Sequence, residues 1–402
     1  MDFKDKINDA IKEGKLDEIT GIILKAQQDQ EWVDRGGPFK RPVFGNIDGN
    51  GNGHDSRSNK KSKSKSKDQD DPETLKTVTA YKYSNRGKDP LHEAIILKCE
   101  PCFICKDRFT NQLIIKPEIN ELTRIITPPV PEEYPYTPYE FRDKVELDSF
   151  YEQASKIKSK SELYKICKER FFQRYIDQDR KIIVLLSADA ILTYFQDLFP
   201  IIHYTEGIGG NDVGKSSIGY VFEYTAYRVV KGVSISGANY PRILGSVEPG
   251  QCVIIEDEGD SISEDPDKLR TLKAGYEYDS RIPKTNINSP GQELKWFLPY
   301  CYKMILAEKS LSHYKAKGLI DRTFTFKCMP GRVKQSIKSV VSNTINKSPK
   351  LIELYNEFLD FRKLMLCYRL IHYRDELPDI ETNLINRNLE LTGPILQLFY
   401  GN

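Results

Sequence analysis

The sequence predicts an α/β protein: a P-loop NTPase core preceded by a small N-terminal β-meander module and followed by a helical C-terminal appendage. Three observations predict it. From Ile182 to Cys328, short β-prone runs alternate with helical stretches, the pattern of a sheet with crossover helices. Inside that stretch, Gly209 to Ser216 read G-x-x-x-x-G-K-S between an apolar run and a helical one. Further on, the apolar run Cys252-Val253-Ile254-Ile255 ends in Glu256-Asp257-Glu258.

Each part of the chain has its own pattern. Residues 1–33 place Phe3, Ile7, Ile11, Leu16, Ile19, Ile22 and Ile23 at helical spacing, broken at Gly14, and predict two short helices. Residues 34–76 lose all apolar periodicity and carry the run from Asn59 to Lys67 in which Lys alternates with Ser. They predict a disordered linker, either a solvated spacer or a basic segment that touches nucleic acid. Residues 77–130 hold three β-prone runs, His92–Leu97, Cys102–Cys105 and Leu113–Lys116, which predict the meander. Residues 131–179 begin in a Pro/Tyr-rich strap, too rich in proline for helix, and continue into two helical patterns. Residues 180–332 are the predicted core, opened by an apolar helix from Ile182. Residues 333–402 return to helical spacing around Leu351, Leu354, Phe358 and Phe361.

Composition narrows the function. A chain of 402 residues with 39% apolar and 29% charged residues has length for more than one domain and is not globally disordered. With 60 Lys+Arg against 58 Asp+Glu, any basic partner surface must be local. No run approaches the ~18 consecutive apolar residues of a membrane span, and the first residues have no signal-peptide pattern. Eight cysteines, several beside apolar residues, look like reduced core thiols. A cytoplasmic protein is expected.

The glycine-rich segment is a Walker A loop by pattern. Phosphate oxygens are bound by converging backbone N–H groups, which glycines permit, at a helix N-terminus whose partial positive charge faces the anion. Gly209, Gly210, Asn211, Asp212, Val213, Gly214, Lys215, Ser216 and Ser217 are the expected nucleotide-binding residues. Lys215 would reach the β- and γ-phosphates of ATP, and the Ser216 hydroxyl would ligate Mg²⁺. The acid-ended strand supplies the second half. Asp257 would hold the metal and Glu258 would orient and deprotonate the attacking water, with Glu256 leaving the register open by one residue. Downstream, Tyr302–Ala307 is a strand ending in Glu308-Lys309-Ser310, a place for a γ-phosphate sensor. Arg322 stands just before another β-prone run, either an arginine finger for a neighbouring subunit or half of an Asp–Arg surface pair.

These segments, with Leu269-Arg270 to Gly275-Tyr276 and Leu319-Ile320-Asp321-Arg322, occur in an order and spacing that resembles the AAA+-like ATPases of plasmid, phage and archaeal mobile-element replication proteins, relatives of superfamily 3 helicases. The resemblance covers about residues 180–335. It implies a core that self-associates into a ring, possibly a hexamer, with ATP between subunits and DNA in the channel, and Arg322 as the finger. In such helicases the sensor strand usually ends in asparagine, where this chain has Glu308. The stretch from Tyr276 to Asn286 is expected to be a hairpin turning near Asp279-Ser280. Arg281 and Lys284 would contact nucleic-acid phosphates and Tyr276 or Tyr278 stack on a base, the alternative being an ordinary surface hairpin.

Other residues are less eloquent. Cys99, Cys102 and Cys105, with His92, have zinc-like spacing, but strand alternation sets Cys102 and Cys105 on opposite faces. His203 reads as a packed core histidine. The expected function is Mg²⁺-dependent ATP hydrolysis coupled to movement or remodelling of DNA; the alternative is a nucleotide-gated switch acting on a protein partner.

Overall fold

The computed structural model describes residues 75–84, 90–285, 294–311, 313–342, 347–373 and 376–400. The two helices expected in residues 1–33, and the linker apart from Leu75 and Lys76, lie outside the described residues.

Strands β1 (Lys76–Thr79) and β2 (Lys82–Tyr83) precede β3 (His92–Leu97), β4 (Glu100–Lys106) and β5 (Leu113–Lys116). β3, β4 and β5 pair antiparallel in chain order, with Ile95 opposite Cys102 and Ile104 opposite Ile115. The β3–β4 turn places Lys98 and Cys99 at φ 52° and 67°, the left-handed pair that a two-residue hairpin loop requires. β6 (Ile119–Asn120) and β7 (Arg124–Thr127) join β1 in a second small sheet. Alternation divides the meander between two cores. Ile95, Cys102 and Ile104 enter the main core, whereas Ala94 and Phe103 pack with Ala80, Tyr83 and Ile126. The meander is therefore continuous with the rest of the molecule, a fusion that its sequence alone did not suggest.

The proline-rich strap runs extended except for a 3₁₀ turn at Pro131–Glu133, and its Tyr134 and Tyr136 rings pack on Tyr81 at 5.6 and 5.4 Å. β8 (Glu140–Phe141) then adds to β3 in parallel. Helix α1 (Lys144–Lys156) starts where Asp143 accepts a hydrogen bond from the Glu146 amide. α2 (Lys160–Ile166) continues through a π-helical stretch, Cys167–Phe172, into a last turn at Gln173–Tyr175. α3 (Arg180–Thr193), capped by Asp179, is buried along most of its length, as its apolar run predicts.

The central sheet follows: β9 (Tyr204–Ile208), helix α4 (Lys215–Glu223), β10 (Val229–Val233), α5 (Asn239–Leu244), β11 (Val253–Asp257), α6 (Pro266–Ala274), β12 (Ile282–Thr285), β13 (Leu294–Phe297), β14 (Lys303–Ala307), α7 (His313–Ile320) and β15 (Thr323–Lys327). Five of these strands form one parallel sheet in the order β10-β11-β14-β9-β15. The chain leaves β9 for the far edge at β10, then returns across the sheet and passes β9 to reach β15. Because parallel crossovers are right-handed, this reversal puts α4 on one face and α5 to α7 on the other. The carboxyl ends of β9 and β14 thus flank a topological switch point, where an open α/β sheet forms its ligand crevice.

Three helices close the chain: α8 (Ile337–Val341), packed on α4; α9 (Pro349–His372), one continuous helix packed on α1; and α10 (Asn386–Phe399), packed on α2 and α3. α9 carries Arg369 into the centre of the molecule. There Arg369 meets Glu93 of β3 at 2.7 Å and Asp197 at 2.7 and 2.8 Å. Lys82 of β2 pairs with Asp197 at 2.6 Å, and Arg228 with Glu93 at 2.6 Å. All five charged side chains are fully buried. This ionic cluster joins β2 and β3, the turn after α3, the residue before β10 and helix α9. Among the described residues no helix is long and apolar enough to cross a membrane.

Candidate functional site at the carboxyl edge of the sheet

The glycine-rich segment follows β9 directly and ends as the N-terminus of α4. Two of its residues are left-handed, Asp212 at φ 61° and Gly214 at φ 86°, and Gly214 is the N-cap of the helix. Gly209 packs too tightly for any side chain: a Cβ there would lie 2.7 Å from Val213 Cγ2 and 3.2 Å from the Cys328 carbonyl oxygen. Gly210, Asn211 and Asp212 are exposed, and Lys215, Ser216 and Ser217 are half-buried on the first turn of α4. The Lys215 ammonium folds back to donate to the Gly209 carbonyl. Burial pushes the neighbouring Cys328 thiol up to about 11 despite the Lys215 charge, so that thiol is inert.

Strand β11 brings its acids to the same edge, separated from β9 by β14. Alternation sets Glu256 and Asp257 on opposite faces of the sheet. Glu256 faces α5 and α6, where it is buried and accepts from the Ile235 amide at 3.0 Å, Tyr240 Oη at 2.6 Å and Lys268 Nζ at 2.8 Å. Burial raises its carboxyl above the ordinary range against those three bonds. Asp257 faces the α4 side, half-buried, with Lys231 Nζ 3.2 Å from its Oδ2. Glu258 is exposed and held at φ 69°, an uncommon backbone for a glutamate. The next residue, Gly259, has no room for a Cβ, which would lie 2.4 Å from Ile305 Cγ2. Of the three consecutive acids, Asp257 and Glu258 are thus the pair left to the crevice.

β14 ends at the same edge in exposed Glu308, Lys309 and Ser310. Asp260 fixes this turn by accepting from the Glu308 and Lys309 amides at 2.9 and 3.0 Å.

Arg322 lies elsewhere. It precedes β15, so it sits at the amino end of the sheet, opposite the glycine-rich loop. Its guanidinium donates to the Gly318 carbonyl and covers the Tyr276 ring at 5.1 Å. Arg322 is therefore not part of the crevice of its own chain.

The expected hairpin is displaced along the sequence. Residues 276–280 form a turn, and the paired strands are β12 and β13, with Lys284 opposite Lys295. The segment joining them, 286–293, lies outside the described residues. Tyr276 is buried at 1% exposure between Arg322 and Arg387 and bonds Glu390 at 3.2 Å; Tyr278 packs on Tyr300. Tyr276 is thus a core side chain and not a surface for a base. Arg281 is exposed, Lys284 is half-buried 3.7 Å from Asp267, and Trp296 of β13 is 49% exposed on the same ribbon.

The zinc-like spacing does not come together. Cys99 is exposed in the turn, and Cys102 and Cys105 are buried on opposite faces of β4. No group of three metal-ligating side chains stands among the described residues. His203 is fully buried 2.9 Å from Asp189, which also accepts from Tyr302 Oη at 2.8 Å.

Three residues at these sites escaped sequence reasoning. Gln178, before α3, donates to the Val213 carbonyl at 3.0 Å and the Met329 carbonyl at 2.7 Å and accepts from the Met329 amide at 2.8 Å, tying the glycine-rich loop to the chain after β15. Nothing in its local sequence signals this. Lys231 had a signal: it is the one charge in the strand run Val229-Val230-Lys231-Gly232-Val233. Trp296 stands in the short run Leu294-Lys295-Trp296-Phe297-Leu298, whose aromatic and apolar residues before Pro299 favour a strand.

No family model matches the chain, and no curated protein does. Among solved structures it is similar to the apo C-terminal region of NrS-1, at 11% identity and a TM-score of 0.30, over 69% of this chain and 66% of that one. It is also similar to the JCV helicase bound to a small acetamide compound, at 11% identity and a TM-score of 0.30, over 63% of this chain and 66% of that one. The chain spans just under two thirds of the length of each.

Proposed function

We propose that this chain is a Mg²⁺-dependent ATPase of the P-loop, AAA+-like type that couples hydrolysis to movement or remodelling of DNA. The observation that carries the reading is the arrangement at the switch point: a glycine-rich loop with left-handed Asp212 and Gly214 runs into the N-terminus of α4, and Asp257 and Glu258 end a strand at the same edge. The residues fit the ligand. Loop amides and the start of α4 supply donors for phosphate oxygens without Cβ atoms at Gly209 and Gly214. Ser216 and Asp257 offer the hydroxyl and carboxylate oxygens that a hard cation takes.

In this reading the loop amides hold the polyphosphate, and Lys215 exchanges its bond to the Gly209 carbonyl for the β- and γ-phosphates. Bound Mg²⁺ supplies charge neutralisation as the γ-phosphate departs. Glu258, on its constrained backbone, orients the attacking water and takes its proton. Arg322 serves the adjacent subunit of a ring, after leaving the Tyr276 ring. Arg281, Lys284 and exposed Trp296 offer cations and an aromatic face to DNA.

The test is ATP turnover with Mg²⁺, with and without single-stranded and duplex DNA. Lys215→Ala should lose tight ATP binding, and Glu258→Gln should bind ATP and not hydrolyse it. Adding Arg322→Ala to wild-type protein should poison turnover. Turnover that ignores DNA would move the assignment to a nucleotide-gated switch; full activity of Lys215→Ala would end it.

A further inference from the structure

Lys231 has no place in the reading above, yet it is built into the floor of the site. Its neighbours in register on β11 and β14, on the α4-facing side of the sheet, are apolar, Ile255 and Met304, so an ordinary strand would carry an aliphatic side chain here. Instead the lysine stem passes beneath α4 at Gly219, where a Cβ would stand 3.2 Å from Lys231 Cε. The ammonium lies 3.7 Å from the centre of the Tyr220 ring and 3.2 Å from Asp257 Oδ2. The two side chains are only 12% and 17% exposed, so water screens the pair weakly. A second carboxylate feels the same cation: Glu223 of α4, whose carboxyl is raised by burial, with Lys231 and Arg362 acting against that rise and Asp257 adding to it.

We propose that Lys231 is a built-in countercation that neutralises Asp257 before a divalent ion arrives and must yield that carboxylate when the ion binds. Resting on the assignment of Asp257 to the metal, this makes Lys231 a positioning residue that sets the divalent-cation dependence of nucleotide binding. The physical argument is competition for one oxygen. An ammonium at hydrogen-bond distance from a carboxylate and a divalent ion beside it repel each other, so the lysine lowers affinity for the metal alone. In exchange, the empty site presents phosphate with a paired carboxylate and not a bare anion. Glu223 provides the alternative partner: the flexible four-carbon stem lets the ammonium turn from β11 toward α4.

The experiment measures Mn²⁺ binding by electron paramagnetic resonance, with a nonhydrolysable ATP analogue present, and the Mg²⁺ dependence of fluorescent-analogue affinity, on the full chain. Lys231→Met keeps the stem on Tyr220 and removes the charge; it should lower the half-saturating Mn²⁺ concentration about tenfold. Lys231→Arg should return it to the wild-type value, and Lys231→Gln, a second neutral variant, should match Lys231→Met if that one folds poorly. Unchanged or weaker Mn²⁺ binding in folded neutral variants, beside wild-type protein that binds nucleotide with Mn²⁺, would overturn the countercation. Wild-type protein that binds neither would instead overturn the assignment of the site itself.

Discussion

Replacing Asp197 by asparagine removes one negative charge from the buried cluster and leaves its shape almost unchanged. Asp197 accepts from Arg369 Nη1 at 2.8 Å, Arg369 Nη2 at 2.7 Å, Lys82 Nζ at 2.6 Å and Tyr373 Oη at 3.1 Å. An amide in its place turns N–H groups toward N–H groups and leaves Lys82, Arg228 and Arg369 with Glu93 and with Glu248, a buried acid at the edge of the cluster whose Oε2 lies 3.6 Å from Lys82 Nζ. Removing one partner of a buried ionic group costs about 3–5 kcal/mol, a large part of the ~5–15 kcal/mol by which a domain is stable. The loss is read in urea, followed by tryptophan fluorescence and far-UV circular dichroism, as a fall in the first unfolding midpoint. Asp148→Asn, which breaks the exposed pair with Lys144, is the control and should leave the midpoint in place. Acid should have the same effect as the substitution. Burial alone would raise the Asp197 carboxyl, but the Arg369 and Lys82 charges outweigh it and hold the group well below the usual carboxylate range. Its contribution is therefore present above pH ~4 and is lost as pH falls toward the folded value. A midpoint for Asp197→Asn equal to that of Asp148→Asn would refute the reasoning.

Glu248 works in the opposite direction. Burial pushes its carboxyl up to about 7, with Lys82 only partly offsetting it. A raised acid stabilises the fold fully below its unfolded value near 4.3 and loses that contribution as pH rises through 7, up to about 4 kcal/mol. Urea midpoints from pH 5 to 8 should fall in the wild type and stay flatter in Glu248→Gln; equal slopes would remove Glu248 from the account. At the glycine-rich loop, Gly209→Ala must displace Val213 or the Cys328 carbonyl, and fluorescent-nucleotide titration should show affinity at least about tenfold weaker. Gly210→Ala, where a Cβ meets nothing within 4 Å, should bind more tightly than Gly209→Ala, and the reverse order would contradict the loop geometry.

The parts of this fold that were legible in the sequence are those in which a residue type has one reason to be present. A glycine-rich turn between an apolar strand and a helix, and an apolar run ending in acids, carry their local structure on their face, and β9, α4 and β11 lie where those patterns place them. What stands across from a side chain is not written locally. Lys82, Glu93, Arg228 and Arg369 look like solvated surface charges, and only the fold shows that they solvate one another. Glu256 and Asp257 are adjacent in sequence and on opposite faces in space, so their partners, not their order, distinguish them. Tyr276 reads as a hairpin tyrosine because Asp279-Ser280 signal a turn just beyond it; the arginines around it come from α10 and the start of β15. Gln178 carries no pattern at all, since a bridge between two backbone segments needs only an amide at the right place.

The Glu93–Arg369 pair spans 276 positions of the chain. During synthesis, β3 and the start of β10 emerge with Glu93 and Arg228 able to meet, while Asp197 and Lys82 still await the guanidinium that completes their shell. The central strands can align earlier, but their interior stays incompletely neutralised until α9 leaves the ribosome. Contacts of such separation form late, because a long loop must close before they return any energy. Helix α9, although α10 still follows it, thus delivers the last charge of the cluster, and a chain halted before Arg369 would leave Glu93 and Asp197 with one cation each, Arg228 and Lys82, around a hollow that solvent or a chaperone must fill.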